Sequence, residues 1–198
     1  MRSPVLTLAL LACLPGLAGC GSSSAPTNRR VEGIPASLIA ARRPIGVGPR
    51  FQPPTPNQPV RDCRAALGPR DGAHVELFAR NRVVLLPRGI GTRPPRTLDS
   101  GRIVRARCYG PVVTLEPTGV VLVRRATTAT LGDLFAAWGA PLSAHRAASF
   151  AGPVAVYVGG RRAGGAPGAV PLRRHAVIVI EVGGYIPPHR RYVFPPGS

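Results

Sequence analysis

Three side chains in this sequence have the types and spacing to do acid–base or metal chemistry: His74, Glu76 and Glu116. Residues two apart on a strand project to the same face, so an imidazole at 74 and a carboxylate at 76 would stand side by side. Such a pair can pass protons or ligate a transition metal through nitrogen and oxygen. Glu116 is the further carboxylate that the fold could bring to them. Glu76 and Glu116 also form a candidate glycosidase-like pair, since two carboxylates of that kind meet only in the folded chain. Other chemistries lack their residues. The sequence has no GxSxG, HExxH, phosphate-binding loop, dinucleotide fingerprint or SxxK motif. It contains no lysine, which removes Schiff-base and Ser–Lys mechanisms. Asp and Glu together number only 8, and no two are spaced in a way that marks a catalytic pair. His145, His175 and His189 stand beside arginines or alone and are expected at the surface. The expectation is therefore no catalytic residue and no cofactor.

The first two dozen residues carry a different kind of chemistry. Arg2 precedes an apolar run from Val5 to Leu17, and Leu17-Ala18-Gly19-Cys20 follows, then Gly21 and three serines. A membrane-spanning helix needs about 20 apolar residues, so this run is too short to span and fits the apolar region of a secretory signal. Leu17 to Cys20 resembles the lipobox of bacterial lipoproteins. That resemblance implies removal of residues 1–19 and a diacylglyceryl group on the Cys20 thiol. It places the chain at the extracytoplasmic face of the cell membrane, held by lipid. Two acyl chains suffice for stable anchoring.

Export bears on the other cysteines. Cys13 leaves with the signal, and Cys63 and Cys108 remain. Two thiols in an oxidising compartment are expected to pair as a disulfide. A redox pair or a metal site would call for CxxC or Cys/His spacing, which is missing. Export also governs the reading of charge. The basic residues number 26, all arginine, and the formal net charge is +18. A cytosolic protein so basic would suggest nucleic acid. Here the arginines occur as scattered pairs, with no aromatic stripe or helix-turn-helix pattern, so no nucleic acid is expected. An anionic lipid or cell-wall polymer surface is the expected counterpart, with an envelope protein as a further partner.

Residues 21–61 hold eight prolines without any sustained period. Proline favours extended geometry and stays out of sheet interiors, so residues 20–61 read as a lipidated cysteine followed by a semi-rigid tether. The folded part begins at 62 and runs to 198 as a single domain. There, strand signals dominate. Val75, Leu77 and Ala79 alternate with His74, Glu76 and Phe78, Arg80-Asn81 can turn, and Arg82 to Leu86 return. Further strands are expected at Ile103–Cys108, Val112–Leu115, Val120–Val123, Val154–Val158 and His175–Val182. Leu131, Leu134, Phe135 and Trp138 have helical spacing, with Thr130 as N-cap and Gly139 as terminator before Pro141. The fold class is α+β, mainly antiparallel hairpins with one short amphipathic helix, of β-grasp-like type.

From Ala73 onward the chain also resembles an uncharacterised family of secreted bacterial proteins. The segments that carry the resemblance are His74 to Gly91, Glu116-Pro-Thr-Gly-Val-Val-Leu-Val123, Leu131 to Leu142, Pro171 to Gly184 and Tyr192-Val-Phe-Pro195. Many members carry a His-x-His-x-His run before the first hairpin and a His-Thr-His-Asp motif later, which implies a transition-metal site. This chain keeps His74 from the first run. Val113 and Leu115 stand at the later histidines and Glu116 at the aspartate. The leading expectation is a membrane-anchored, non-catalytic binding module of the cell envelope. The alternatives are a copper- or zinc-handling lipoprotein built on His74, Glu76 and Glu116, and a cell-wall hydrolase.

Overall fold

The computed structural model describes Pro53 and residues 58–198. The expected signal segment 1–19, Cys20 and nearly all of the expected tether lie outside the described residues. Strands β1 (Arg70–Ala79), β2 (Arg82–Val84), β3 (Thr92–Asp99), β4 (Arg102–Tyr109), β5 (Val112–Val113) and β6 (Val120–Arg124) precede helix α1 (Leu131–Trp138). The short strands β7 (Leu142–Ser143), β8 (Arg146–Ala147) and β9 (Phe150–Ala151) follow. Then come β10 (Val154–Val158), β11 (Arg161–Arg162), a 3-10 turn at Pro167–Ala169 and β12 (Val177–Val182). The fold is mostly β, with sheets of mixed type and a single α-helix among the described residues, which is compatible with α+β. No helix among those residues is long and apolar enough to cross a membrane.

The main sheet runs β11-β10-β12-β1-β6-β5, with β2 also on β1. The first hairpin turns at Arg80-Asn81, whose φ values of 49° and 59° suit the mirror-image turn that matches strand twist. The second hairpin turns at Gly159-Gly160. The expected hairpins are joined by a pairing that is not antiparallel. β1 and β12 lie side by side in parallel, Val75 opposite Ile178 and Leu77 opposite Ile180. Every residue of β12 is buried, as in strands covered on both faces. One face of the pair is covered by α1 through Leu131, Leu134, Phe135 and Trp138, which join Val75, Leu77, Ile178 and Ile180 in the largest core cluster. Thr130 and Asp133 form a capping box, and Gly139 closes the helix at φ 76°. The opposite face carries two smaller apolar clusters. Phe78, Val83 and Val179 make one, and Ile103, Ala106, Tyr109, Val113, Leu115 and Leu122 make the other.

Strand β3 was not among the expected strands, and it contains Pro94-Pro95, residues that cannot donate to a ladder. The β3–β4 ladder skips between Arg93 and Arg96, so the two prolines sit where the register shifts. The hairpin forms a two-stranded sheet of its own, held at its base by the Cys63–Cys108 disulfide, Cα–Cα 5.5 Å. Strand β5 is shorter than Val112–Leu115 because Thr114 leaves the ladder. Its buried hydroxyl donates to the Pro87 carbonyl and accepts from the Ile90 N–H.

Candidate functional site: a buried imidazole–carboxylate pair

The alternation along β1 puts His74 and Glu76 on one face, as expected, but not at a solvent-facing edge. Each is only 2% exposed. β1 lies inside the sheet between β12 and β6, and the extended segment after β12 crosses over this face. Tyr192 from that segment stacks on the His74 ring, with centroids 3.7 Å apart and planes at 9°. His189 reaches Glu76 through Nδ1, 2.6 Å from Oε2. His189 is thus half-buried and partnered rather than a surface histidine. His175 lies at the surface but stacks on Phe194 and bonds the Ser198 carbonyl through Nε2. His145 is exposed as expected.

The hydrogen bonds fix the His74 tautomer. Nε2 lies 3.2 Å from the Thr118 carbonyl, and a carbonyl only accepts, so Nε2 carries the hydrogen. Gly119 makes this approach feasible. Its φ is +83°, and a Cβ there would sit 2.7 Å from the Val75 carbonyl and 3.0 Å from His74 Nε2. Nδ1 then presents a lone pair toward Glu76 Oε1 at 3.7 Å. Neither atom has a hydrogen-bond partner among the described residues. Burial pushes the His74 imidazole below its ordinary value, against the opposing pull of Glu76 and the Thr118 bond. Burial also raises the Tyr192 phenol, with the charges of Glu116 and Glu76 adding to it. The site can hold a proton or a single donor between two acceptors. A general base must reach its substrate within hydrogen-bond distance, and here the reacting atoms are under Tyr192 and His189.

Glu116 does not join the pair. It forms an ion pair with Arg102 at the turn end of the β3–β4 hairpin, where both side chains are partly exposed. Among the described residues no group of three or more His, Cys, Asp or Glu could hold a metal ion. The set His74, Glu76 and Glu116 therefore does not fit the metal that the family resemblance implies. Two larger cavities lie elsewhere. One, about 330 Å³, opens between residues 58–61 and α1, and another, about 440 Å³, lies beside Arg80 and Arg82. Neither His74 nor Glu76 lines them.

Sequence reasoning missed three buried charged groups. Arg70, on β1, is 4% exposed and donates to the carbonyls of Leu67, Pro111, Leu122 and Gly110. Burial, with Arg124 alongside, lowers its guanidinium to about 10, so it stays charged at neutral pH. Arg124 sits opposite Arg70 in the β1–β6 register and bonds Asp62 and the Tyr109 carbonyl. With the disulfide, these two arginines fasten residues 62–67 to the sheet. Glu181 accepts from the Ile186 N–H at 3.0 Å, and its other oxygen has no partner among the described residues. Burial raises its carboxyl above the ordinary value.

A pH dependence follows from His74. The unfolded chain takes a proton on this residue near 6.5, and the folded state resists doing so. Below 6.5 the unfolded state binds more protons, so stability rises with pH there and falls on acidification. Glu181 acts with the opposite sign, favouring the folded state as pH falls through its raised value. His74→Phe keeps a flat ring under Tyr192 and removes the titration. Urea unfolding of both proteins across this range should show a shallower acid-side loss in the variant. An unchanged slope would contradict the neutral, buried assignment.

Comparison with protein-family models, with curated proteins and with solved structures finds no match to this chain.

Proposed function

We propose that this chain is an extracytoplasmic lipoprotein, anchored to the membrane by lipid on Cys20, whose folded domain is a non-catalytic binding module of the cell envelope. One observation carries the non-catalytic part. The imidazole–carboxylate pair that chemistry would need is 2% exposed at each member and covered by Tyr192 and His189. A hydrolase built on Glu76 would need that carboxylate open to a substrate. A metal carrier would need a third ligand where Glu116 is tied to Arg102. The Leu17–Cys20 segment supports the anchor, and the paired Cys63 and Cys108 fit an oxidising compartment. The central parallel pairing of β1 and β12, crossed by one helix, favours the β-grasp-like reading of the sheet.

Cell fractionation with external protease tests location. The chain should sediment with membranes, resist extraction by high salt, come out with detergent, and be cut by protease that does not enter the cytoplasm. Recovery in the soluble fraction, or protection from that protease, would overturn the proposal.

A further inference from the structure

We infer that the β3–β4 arm is the surface by which the domain lies against anionic phospholipid. The inference rests on the extracytoplasmic, membrane-tethered reading above and names the face that meets the bilayer. Between Arg93 and Arg107 the arm holds five arginines, Arg93, Arg96, Arg102, Arg105 and Arg107, against one carboxylate, Asp99. Arg96 bonds Thr92 and the Gly89 carbonyl, and Arg102 bonds Glu116. Arg93, Arg105 and Arg107 are exposed and enter no ion pair among the described residues.

Apolar residues on the same arm decide between kinds of anionic surface. Among the described residues the exposed large hydrophobic side chains are Tyr185 at 60%, Val193 at 52%, Val104 at 51% and Leu98 at 48%. Two of the four belong to this arm. Leu98 lies just before the Ser100-Gly101 turn, and Val104 is the extra residue where the ladder steps from Thr97/Arg105 to Leu98/Ile103. A hydrated anionic polymer offers such side chains nothing to be buried in. A bilayer interface offers acyl chains to them and headgroup charge to the arginines.

The arm is also braced along one side. Ile103, Ala106 and Tyr109 bury one side of it in the cluster with Val113, Leu115 and Leu122. The Ile103 N–H bonds the Leu115 carbonyl, and Cys108 is fixed to Cys63. A two-stranded hairpin alone is marginal in water, and this one draws its rigidity from contacts at both its turn and its base, leaving Arg93, Arg105, Arg107, Leu98 and Val104 exposed.

The test uses the full chain with Cys20→Ser, so that acyl anchoring plays no part. Its partitioning is measured by sedimentation with vesicles of equimolar phosphatidylglycerol and phosphatidylcholine, and with phosphatidylcholine alone. Each arginine near an anionic surface adds roughly fivefold to partitioning. R93Q/R105Q/R107Q should therefore lower binding to the anionic vesicles on the order of 100-fold. L98S/V104S should lower it about tenfold and make the remainder more sensitive to salt. R146Q/R161Q/R162Q, an equal charge change at exposed residues outside the arm, should leave binding within a few-fold. Equal losses from both arginine triples would overturn the inference. So would equal binding of the parent to both vesicle types, or sedimentation with isolated cell wall but not with vesicles. An arm that binds anionic vesicles while the native chain carries no lipid on Cys20 would sink the anchoring proposal alone. A lipidated chain whose arm ignores anionic vesicles would sink the arm alone.

Discussion

Replacing the disulfide by C63S/C108S destabilises the domain by about 4 kcal/mol. The two cysteines are 45 residues apart in sequence, and in the chain-entropy treatment releasing a loop of that length frees the unfolded chain by this amount. For a domain of this size the melting midpoint should fall on the order of 15 °C. The loss has a place as well as a size. Cys108 is in β4, and Tyr109 next to it makes an isolated bridge with Arg64. Losing the bond therefore loosens residues 61–67 and the base of the β3–β4 arm before the main sheet. Thermal unfolding with and without reductant, and of the double variant, reads the effect. A midpoint that moves by only a few degrees would mean that Arg70 and Arg124 alone hold this corner.

Trp138→Ala should cost 3–5 kcal/mol, the range for deleting a large buried aromatic side chain. Trp138 is 1% exposed and packs on Phe135 with ring centroids 5.3 Å apart. Helix α1 docks on one sheet face through this ring, so the cavity would lie in the largest core cluster, between helix and sheet. Trp138→Phe should cost much less, because most of the ring volume remains. Trp138 is the only tryptophan, so circular dichroism during urea unfolding is the suitable measurement. An Ala variant within 1 kcal/mol of the parent, by order of magnitude, would show that α1 does not staple the sheet.

Helix α1 was legible in the sequence because its signals are local. Thr130, the spacing of Leu131, Leu134, Phe135 and Trp138, and Gly139 before Pro141 lie within a dozen residues, and each acts on its neighbours. The two hairpins were legible for the same reason, since Arg80-Asn81 and Gly159-Gly160 state their own turns. What sequence periodicity could not show is which hairpin edge meets which. The parallel pairing of β1 with β12 joins residues about a hundred positions apart by register alone. That pairing decides the fate of the candidate site. On a free hairpin His74 and Glu76 would face water. With β12 on one side, β6 on the other and Tyr192 above, they are buried. The same long range hid Glu181 and Arg70. Glu181 sits inside an apolar strand, and Arg70 looks like one more surface arginine until the carbonyls of Gly110 and Pro111 come to it. Strand β3 was hidden by the opposite effect, a strong local signal, Pro94-Pro95, that the ladder steps around.

The central claim is the anchor, and the mass of the N-terminal peptide of the protein isolated from its own cell membranes tests it most directly. The expected result is a chain beginning at Cys20, with a diacylglyceryl group on its thiol, and loss of that mass and of membrane retention in a Cys20→Ala variant. An unmodified Cys20, or a Cys20→Ala variant retained in membranes and processed like the parent, would contradict it.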